Sequence, residues 1–455
     1  MKSRFQKVLR IAVCAMLVAI LAVTTLLATG CGRTDFDGST VPVDVNLPKD
    51  TAANLKMGVL DDASEKTSAQ AIIDAFNEVY PNIKITLDPI SGNYTQGLLS
   101  RIKSGTVPDI LYVGDDTISY FAEKKLLLNL DAHMDAAKFD TSLYYDSMIK
   151  LGQKNQNGSQ YMMPRDYNKV VCYYNKDLLA EAGITKDNPL YPNDDWTYDE
   201  FLDLCEALKK SSLSSDIYPV DAMLAWPPVF NAFIRSYGGE LMTVDGKPAF
   251  NTPEAKEGLS AMKTLLDKGY TINPMQKTEE IFNAEKAVMY FAVRPIMSNL
   301  QVAGINYDAV SFPFIGEKGY IGAGTSGYGI ARSSKHPNEA WAFLAFMMSK
   351  DGQQAFSKTG NAVPVLKSLV TDEDAIWNTI PDIQARFNHK AFIQFDERDT
   401  LKDYLNGVNV DLYAKIDSAM LNLLDNYMGW TVAAGDPDEV CAKVEKDINR
   451  ILNSD

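Results

Sequence analysis

Histidine and cysteine are scarce, with three of the first and five of the second in 455 residues. His133, His336 and His389 lie far apart and show none of the spacings with which side chains close on a metal ion. Cys14 and Cys31 fall near the amino terminus, and Cys172, Cys205 and Cys441 are widely scattered, so no disulfide framework is written into the chain. The three distal cysteines read as small core residues, Cys172 in a strand and Cys205 and Cys441 in helices. Positive charge is also short: 44 Lys and Arg face 59 Asp and Glu, a formal net charge of −15. That balance argues against nucleic acid, whose phosphates require clustered cations. Beyond the first thirty residues no membrane-spanning pattern follows. What is present is ordinary for a globular protein, 46% hydrophobic and 23% charged residues, in a chain long enough that two lobes or domains are the default expectation.

The amino terminus departs from the rest. Lys2, Arg4, Lys7 and Arg10 precede a charge-free apolar run from Ile11 to Ala28, the layout of an export signal over residues 1–30. The run ends in Ala28-Thr29-Gly30-Cys31, small residues before a cysteine that resemble the lipidation box of bacterial lipoproteins, with Ala28 where that box usually has leucine. The expectation is that Cys31 takes a lipid and anchors the body on the extracytoplasmic face of a bacterial cell membrane; an uncleaved spanning anchor is the alternative. Losing four positive and no negative charges takes the formal −15 to −19, which would push the body off an anionic envelope. Residues 31–55, rich in Asp, Thr, Pro and Gly without periodicity, read as a flexible tether reaching about 70 to 80 Å at full stretch.

Alternating elements follow. Lys56 to Leu60 is a short strand; Ile72, Ile73, Phe76 and Val79 recur at helical spacing until Pro81; Ile83, Ile85 and Leu87 alternate as a second strand. A helix with Leu98, Leu99 and Ile102 leads through Pro108-Asp109 to a third strand, Ile110 to Val113. This order implies βαβ units and a parallel sheet. The pattern restarts after Met163 with the apolar run Val170 to Tyr174. Thr197 and Glu200 form a capping-box signal, Pro253 opens another helix after Thr252, and Ala287 to Ala292 is an apolar strand. Trp196, Trp341 and Trp430 occupy packing positions.

Several of these segments carry a family pattern. "SGTVPDI" from Ser104, "YNKDLLAEAGI" from Tyr174, "WTYDEF" from Trp196, "FNTPEAKEGLSAMKTLLDKG" from Phe250, "FNAEKAVMYFAVRP" and "GYGIARSSKHPNEAWAFLAFMMSKDGQQAF" resemble, in order, six blocks of the family 1 extracellular solute-binding proteins, the sugar-binding subunits of ABC importers. The resemblance covers about residues 56 to 455. It implies an α/β, periplasmic-binding-protein-like fold: two α/β lobes joined by a hinge, with the ligand cleft between them. By that resemblance the N-terminal lobe takes 56–162 and 325–362, and the C-terminal lobe 165–322 and 366–455. The tandem glycines from Gly322 suit a crossing that must bend.

A carbohydrate presents paired hydroxyls and apolar C–H faces, so its site needs Asp, Asn, Glu or Arg together with an aromatic ring. In an open α/β sheet these come from loops beyond the carboxyl ends of strands. Asp61 and Asp62 leave the first strand, either into the cleft or as a cap of the next helix. Asp116, after the third strand, matches the acidic cleft residue of maltose-binding-protein-like members by spacing. Tyr94 resembles a position where a Tyr often faces the solute, or else packs at a helix entry. Trp226 sits in a Pro-rich loop, with Asn231 one turn beyond. Arg294 stands at a loop where the family often bears Trp, exchanging a stacking face for a donor fork. Tyr328 and Tyr413 are further candidates. In the polar pentad before the strand at Val170, Asp166, Tyr167 and Asn168 are expected on the cleft floor, and the resemblance places Asn168 where maltose-binding-protein-like members have a sugar-binding glutamate.

The expectation is a monomeric, non-enzymatic receptor that binds a carbohydrate, an oligosaccharide, and hands it to ABC permease subunits, with membrane contact through the lipid on Cys31 and no cofactor. A glycerol phosphodiester or polyamine is the alternative solute. A secreted glycoside hydrolase would require an acid and a base about 5 to 10 Å apart across the bond, which adjacent aspartates on one loop do not show; a surface adhesin is a third possibility.

Overall fold

The computed structural model describes residues 41–115, 117–156, 158–277, 280–360, 362–370, 377 and 387–454. The chain enters along its own surface: the Asn338 amide donates to Pro42 O at 2.9 Å and accepts from Asp44 N at 3.1 Å. Val45 and Leu47 pack on the core, and Lys49 Nζ lies 4.1 Å over the Tyr80 ring. The tether expected over 31–55 is therefore docked from residue 41 onward. Its polar composition concealed the few apolar and hydrogen-bonding contacts that suffice to hold it.

Strand β1 (Ala53–Leu60), helix α1 (Ala63–Val79), strand β2 (Ile83–Ile90), helix α2 (Tyr94–Ser104) and strand β3 (Ile110–Gly114) make the expected βαβ units, with β1 parallel to both β2 and β3. The Pro108-Asp109 step pins β3 in place, since the Asp109 carboxylate accepts from Lys56 N at 3.0 Å and Ser334 Oγ at 2.7 Å. The parallel sheet stops there. Its order is β2-β1-β3-β11-β4, in which β4 (Met163–Pro164) and β11 (Ser326–Ile330) arrive from later in the chain and pair antiparallel.

The polar pentad is itself a strand, β5 (Asp166–Lys169), followed by β6 (Val171–Asn175). Helix α3 (Tyr198–Lys210) starts on the Thr197–Glu200 capping box. Strand β7 (Tyr218–Asp221), helices α4 (Pro227–Ser236) and α5 (Pro253–Asp267), and strands β8 (Ala287–Ala292) and β9 (Tyr307–Ser311) complete a sheet of order β7-β8-β6-β9. Here too only β7 and β8 are parallel; β6 is antiparallel to both neighbours. Every residue of β6 is buried, with Tyr173 in one apolar cluster and Cys172 and Tyr174 in another, which is why its sequence is a continuous apolar run and not an alternation. Cys172, Cys205 and Cys441 are buried free thiols.

Strands β10 (Ile321–Gly324), β12 (Val363–Pro364) and β13 (Asp399–Thr400) join β5 in a small sheet of order β12-β5-β10-β13. It bridges the other two, because β4 runs through Arg165 into β5 and β10 through Thr325 into β11 on one side, and β5 runs through Val170 into β6 on the other. Gly322 and Gly327 serve close approach and not a bend. Neither has a positive φ, and a Cβ would drive into Pro228 O at the first and Met163 O at the second. Helices α6 (Pro337–Met348) and α7 (Lys350–Ser357) cover the first sheet, with Phe343 stacked edge-on to Phe76 of α1 at 5.4 Å.

Candidate ligand cleft

Where β4, β5, β10 and β11 cross, a cavity of about 490 Å³ opens between the lobes. Its floor is a buried ionic network. Arg165, 7% exposed, donates to Glu65 Oε2 at 2.7 Å, to Tyr328 Oη and Ser326 Oγ at 2.9 Å each, and to Asp166 Oδ2 at 2.9 Å. Tyr328 Oη donates in turn to Glu65 Oε1 at 2.7 Å. Burial opposes the guanidinium's charge, but Glu65, Tyr328 and Asp166 outweigh it and hold its pKa above the ordinary value. Asp166 also accepts from Ser326 N at 2.9 Å and Asn168 Nδ2 at 3.1 Å. Its lone pairs are thus largely spent on the protein, and it works as a cross-link between β5 and β11.

Asn168 completes the floor. Its amide nitrogen must face the Asp166 carboxylate, which can only accept, so Oδ1 is left as an acceptor without a protein donor. The period of two along β5 turns Asp166 and Asn168 toward the cavity and Tyr167 and Lys169 away from it. Tyr167 is fully buried, stacked on Tyr145 at 4.7 Å and donating to Asp399 Oδ2 at 2.7 Å. Lys169 pairs with the other oxygen of Asp399 at 2.9 Å. Placing Tyr167 on the cleft floor is therefore corrected.

The walls come from both lobes. Asp62 both caps α1, accepting Glu65 N at 3.0 Å, and lines the cavity; the two readings of this residue hold together. Asp115 and half-buried Tyr112 line the same side. Opposite them stands Trp226, whose carbonyl starts α4. Its ring borders this cavity and two neighbours, one of about 500 Å³ with Asp221, Lys277 and Glu280, and one of about 320 Å³ with Tyr290 and Asn299. A half-buried indole at the junction of three cavities offers a stacking surface to a solute running along the cleft.

Other candidates stand elsewhere. Asp61 faces solvent, held below the usual carboxylate range by the Ser91 hydroxyl and the Lys66 ammonium. Tyr94 is buried and donates to Gly58 O at 3.2 Å. Asn231, 1% exposed, donates to Leu401 O at 3.0 Å; Tyr328 lies beneath Arg165, and Tyr413 is buried in the second apolar cluster. Asp116 lies outside the described residues. Arg294 turns away from the cleft and is fully buried, donating to Gly360 O at 3.1 Å and Trp377 O at 2.8 Å. Desolvation lowers its pKa to about 10. A donor fork there satisfies carbonyls of the returning chain and not a solute.

Arg294 Nη1 also reaches His389 Nδ1 at 3.2 Å, which requires a neutral imidazole, and burial followed by the Arg294 charge brings the His389 pKa to about 3. An unfolded histidine titrates near 6.5. Between those values only the unfolded chain takes the proton, so stability falls as pH drops through that window. The expected loss is about 2 to 3 kcal/mol between pH 7 and 4.5. Urea midpoints at the two pH values check it: His389→Gln should remove most of the difference, and an equal difference in both proteins would refute the assignment.

Sequence reasoning missed Arg165, Glu65, Ser326, Tyr112 and Lys402, all of which line the cavity. Arg165 heads the polar pentad, and an arginine at a strand entrance was its only signal. The others lie on elements whose meeting depends on the crossing strands.

A family model described as bacterial extracellular solute-binding protein matches residues 62–354. The galactooligosaccharide-binding protein of Bacillus subtilis (strain 168) is 22% identical over 384 residues, 79% of this chain and 82% of that one. An ABC substrate-binding protein from Listeria monocytogenes, solved in complex with cycloalternan, superposes with a TM-score of 0.72 at 20% identity over 88% of this chain and 99% of that chain. UgpB from Mycobacterium tuberculosis, in complex with glycerophosphocholine, superposes with a TM-score of 0.71 at 17% identity over 89% and 99%. The superpositions establish a shared two-lobed fold.

Proposed function

The chain belongs to the bacterial extracellular solute-binding protein family, and from that premise we propose that it is an extracytoplasmic carbohydrate receptor, taking an oligosaccharide in the cleft and delivering it to an ABC permease. The observation that carries the reading is that the half-buried Trp226 and the amide side chain of Asn168 line one cavity between carboxylates: a stacking face together with amide and carboxylate groups is what a sugar ring requires. Relatives named for galactooligosaccharide and crystallised with cycloalternan support the same solute class.

In this reading the lobes are 56–162 with 325–362 and 165–322 with 366–455, the body is a monomer, and the lipid on Cys31 holds it at the membrane. Contacts from both lobes favour a closed state through differential binding energy, and the permease recognises that state. Titration calorimetry of the purified protein against mono- and oligosaccharides is expected to show saturable binding, with no product by chromatography. Product formation would replace the receptor with a hydrolase. Asn168→Ala is expected to weaken binding about tenfold, the worth of one hydrogen bond to a neutral group, with an unchanged melting temperature; unchanged affinity would return the pentad to a purely structural role.

A further inference from the structure

We infer that the cleft selects against negative charge and holds an amine-bearing glycan in preference to its neutral parent, an inference that rests on the carbohydrate reading above. Among the described residues, three cationic side chains line the three adjoining cavities, Arg165, Lys277 and Lys402. Each is answered by carboxylate: Arg165 by Glu65 and Asp166, Lys277 by Asp221 at 2.8 Å and Glu280 at 3.0 Å, and Lys402 by Asp417 at 3.9 Å. Six carboxylates line the same described surfaces, Asp62, Glu65, Asp115, Asp166, Asp221 and Glu280, so negative charge exceeds positive in a cleft whose walls focus the field.

The backbone repeats the message. Two helices begin at the cavity, and a helix amino terminus is ordinarily an anion site because its first N–H groups are unsatisfied. At α1 that place is taken by the Asp62 carboxylate, with Glu65 in the same first turn. At α4 the first two positions are Pro227 and Pro228, which have no N–H to offer. A phosphate would therefore meet neither an unpaired cation nor a usable helix terminus. An ammonium would meet the carboxylates of Asp62 and Asp115, which line the cavity, and the negative face of the Trp226 ring.

The test is a pool in which several di- and trisaccharides of different linkage are each present in neutral, 2-amino and phosphorylated form, with sn-glycerol 3-phosphate added. The pool is passed over the immobilised protein, and the retained compounds are released by acid and identified by mass. The expected result is retention of an amino form at least about tenfold above its neutral parent, with phosphorylated forms and glycerol phosphate absent. Retention of any phosphorylated form at the level of its parent, or of the amino form no better than the neutral one, would overturn the inference while leaving the carbohydrate reading standing. Retention of nothing would remove both. Asp62→Asn supplies the second arm, because asparagine caps a helix as well as aspartate and only the charge is lost. The amino-to-neutral ratio is expected to fall at least about threefold with the melting temperature retained, and an unchanged ratio in a folded variant would show that the cleft charge does not select.

Discussion

Replacing Arg165 with methionine is expected to destabilise the protein by about 3 to 5 kcal/mol, the usual consequence of removing one partner from a buried ion pair. The guanidinium is 7% exposed and faces two carboxylates, of which Glu65 is 6% and Asp166 2% exposed. Without it, both charges stay out of water and unpaired, and Tyr328 and Ser326 lose a donor. A domain of ordinary stability has about 5 to 15 kcal/mol in total, so the variant should sit near the edge of folding. Urea denaturation measures the loss. The accompanying control removes all three charges, Arg165→Met with Glu65→Gln and Asp166→Asn, and should recover much of it, since neutral amides cost far less to bury than lone carboxylates. A loss below about 1 kcal/mol in the single variant, the scale of a surface pair, would mean that the network is not what joins β5, β11 and α1.

The second large effect concerns binding. Trp226→Ala is expected to weaken solute affinity by at least about thirtyfold, or 2 kcal/mol, the level at which a half-buried aromatic ranks as a dominant contact. Its ring borders all three cavities, so truncation removes the surface that joins them. Trp226→Phe should retain most of the affinity, because a smaller ring still presents a face to C–H groups. Calorimetry on the three proteins decides it. Equal affinity in Trp226→Ala would place the solute away from the α4 entrance.

Both predictions rest on residues of different visibility in the chain. Trp226 stood out because a large ring next to two prolines has no evident core role, and the structure puts it at the cavity. Arg165 lay in plain view and went unchosen, because nothing local distinguishes a guanidinium that holds two carboxylates from one at a solvated turn. Composition alone groups Tyr167 with its polar neighbours, whereas the pentad is a strand whose faces alternate. The place of Arg294 after β8 points to the cleft, and burial against Gly360 O and Trp377 O puts it elsewhere.

The sequence by itself determined the local elements and their kind. Apolar periodicity marked β1, α1, β2 and β8, the Thr197–Glu200 box started α3, and six ordered blocks carried the family and its two-lobed fold, because helix and strand signals act over a few residues. Only the tertiary structure decided the antiparallel pairings of β11 and β6, the docking of residues 41–52, and which polar side chains share the cleft. Glu65, Arg165 and Tyr328 are separated by 100 and 163 positions along the chain, and their contact exists because helix α1, the β4–β5 junction and strand β11 are packed together. No local pattern encodes a hydrogen bond whose two ends are fixed by elements far apart in the chain.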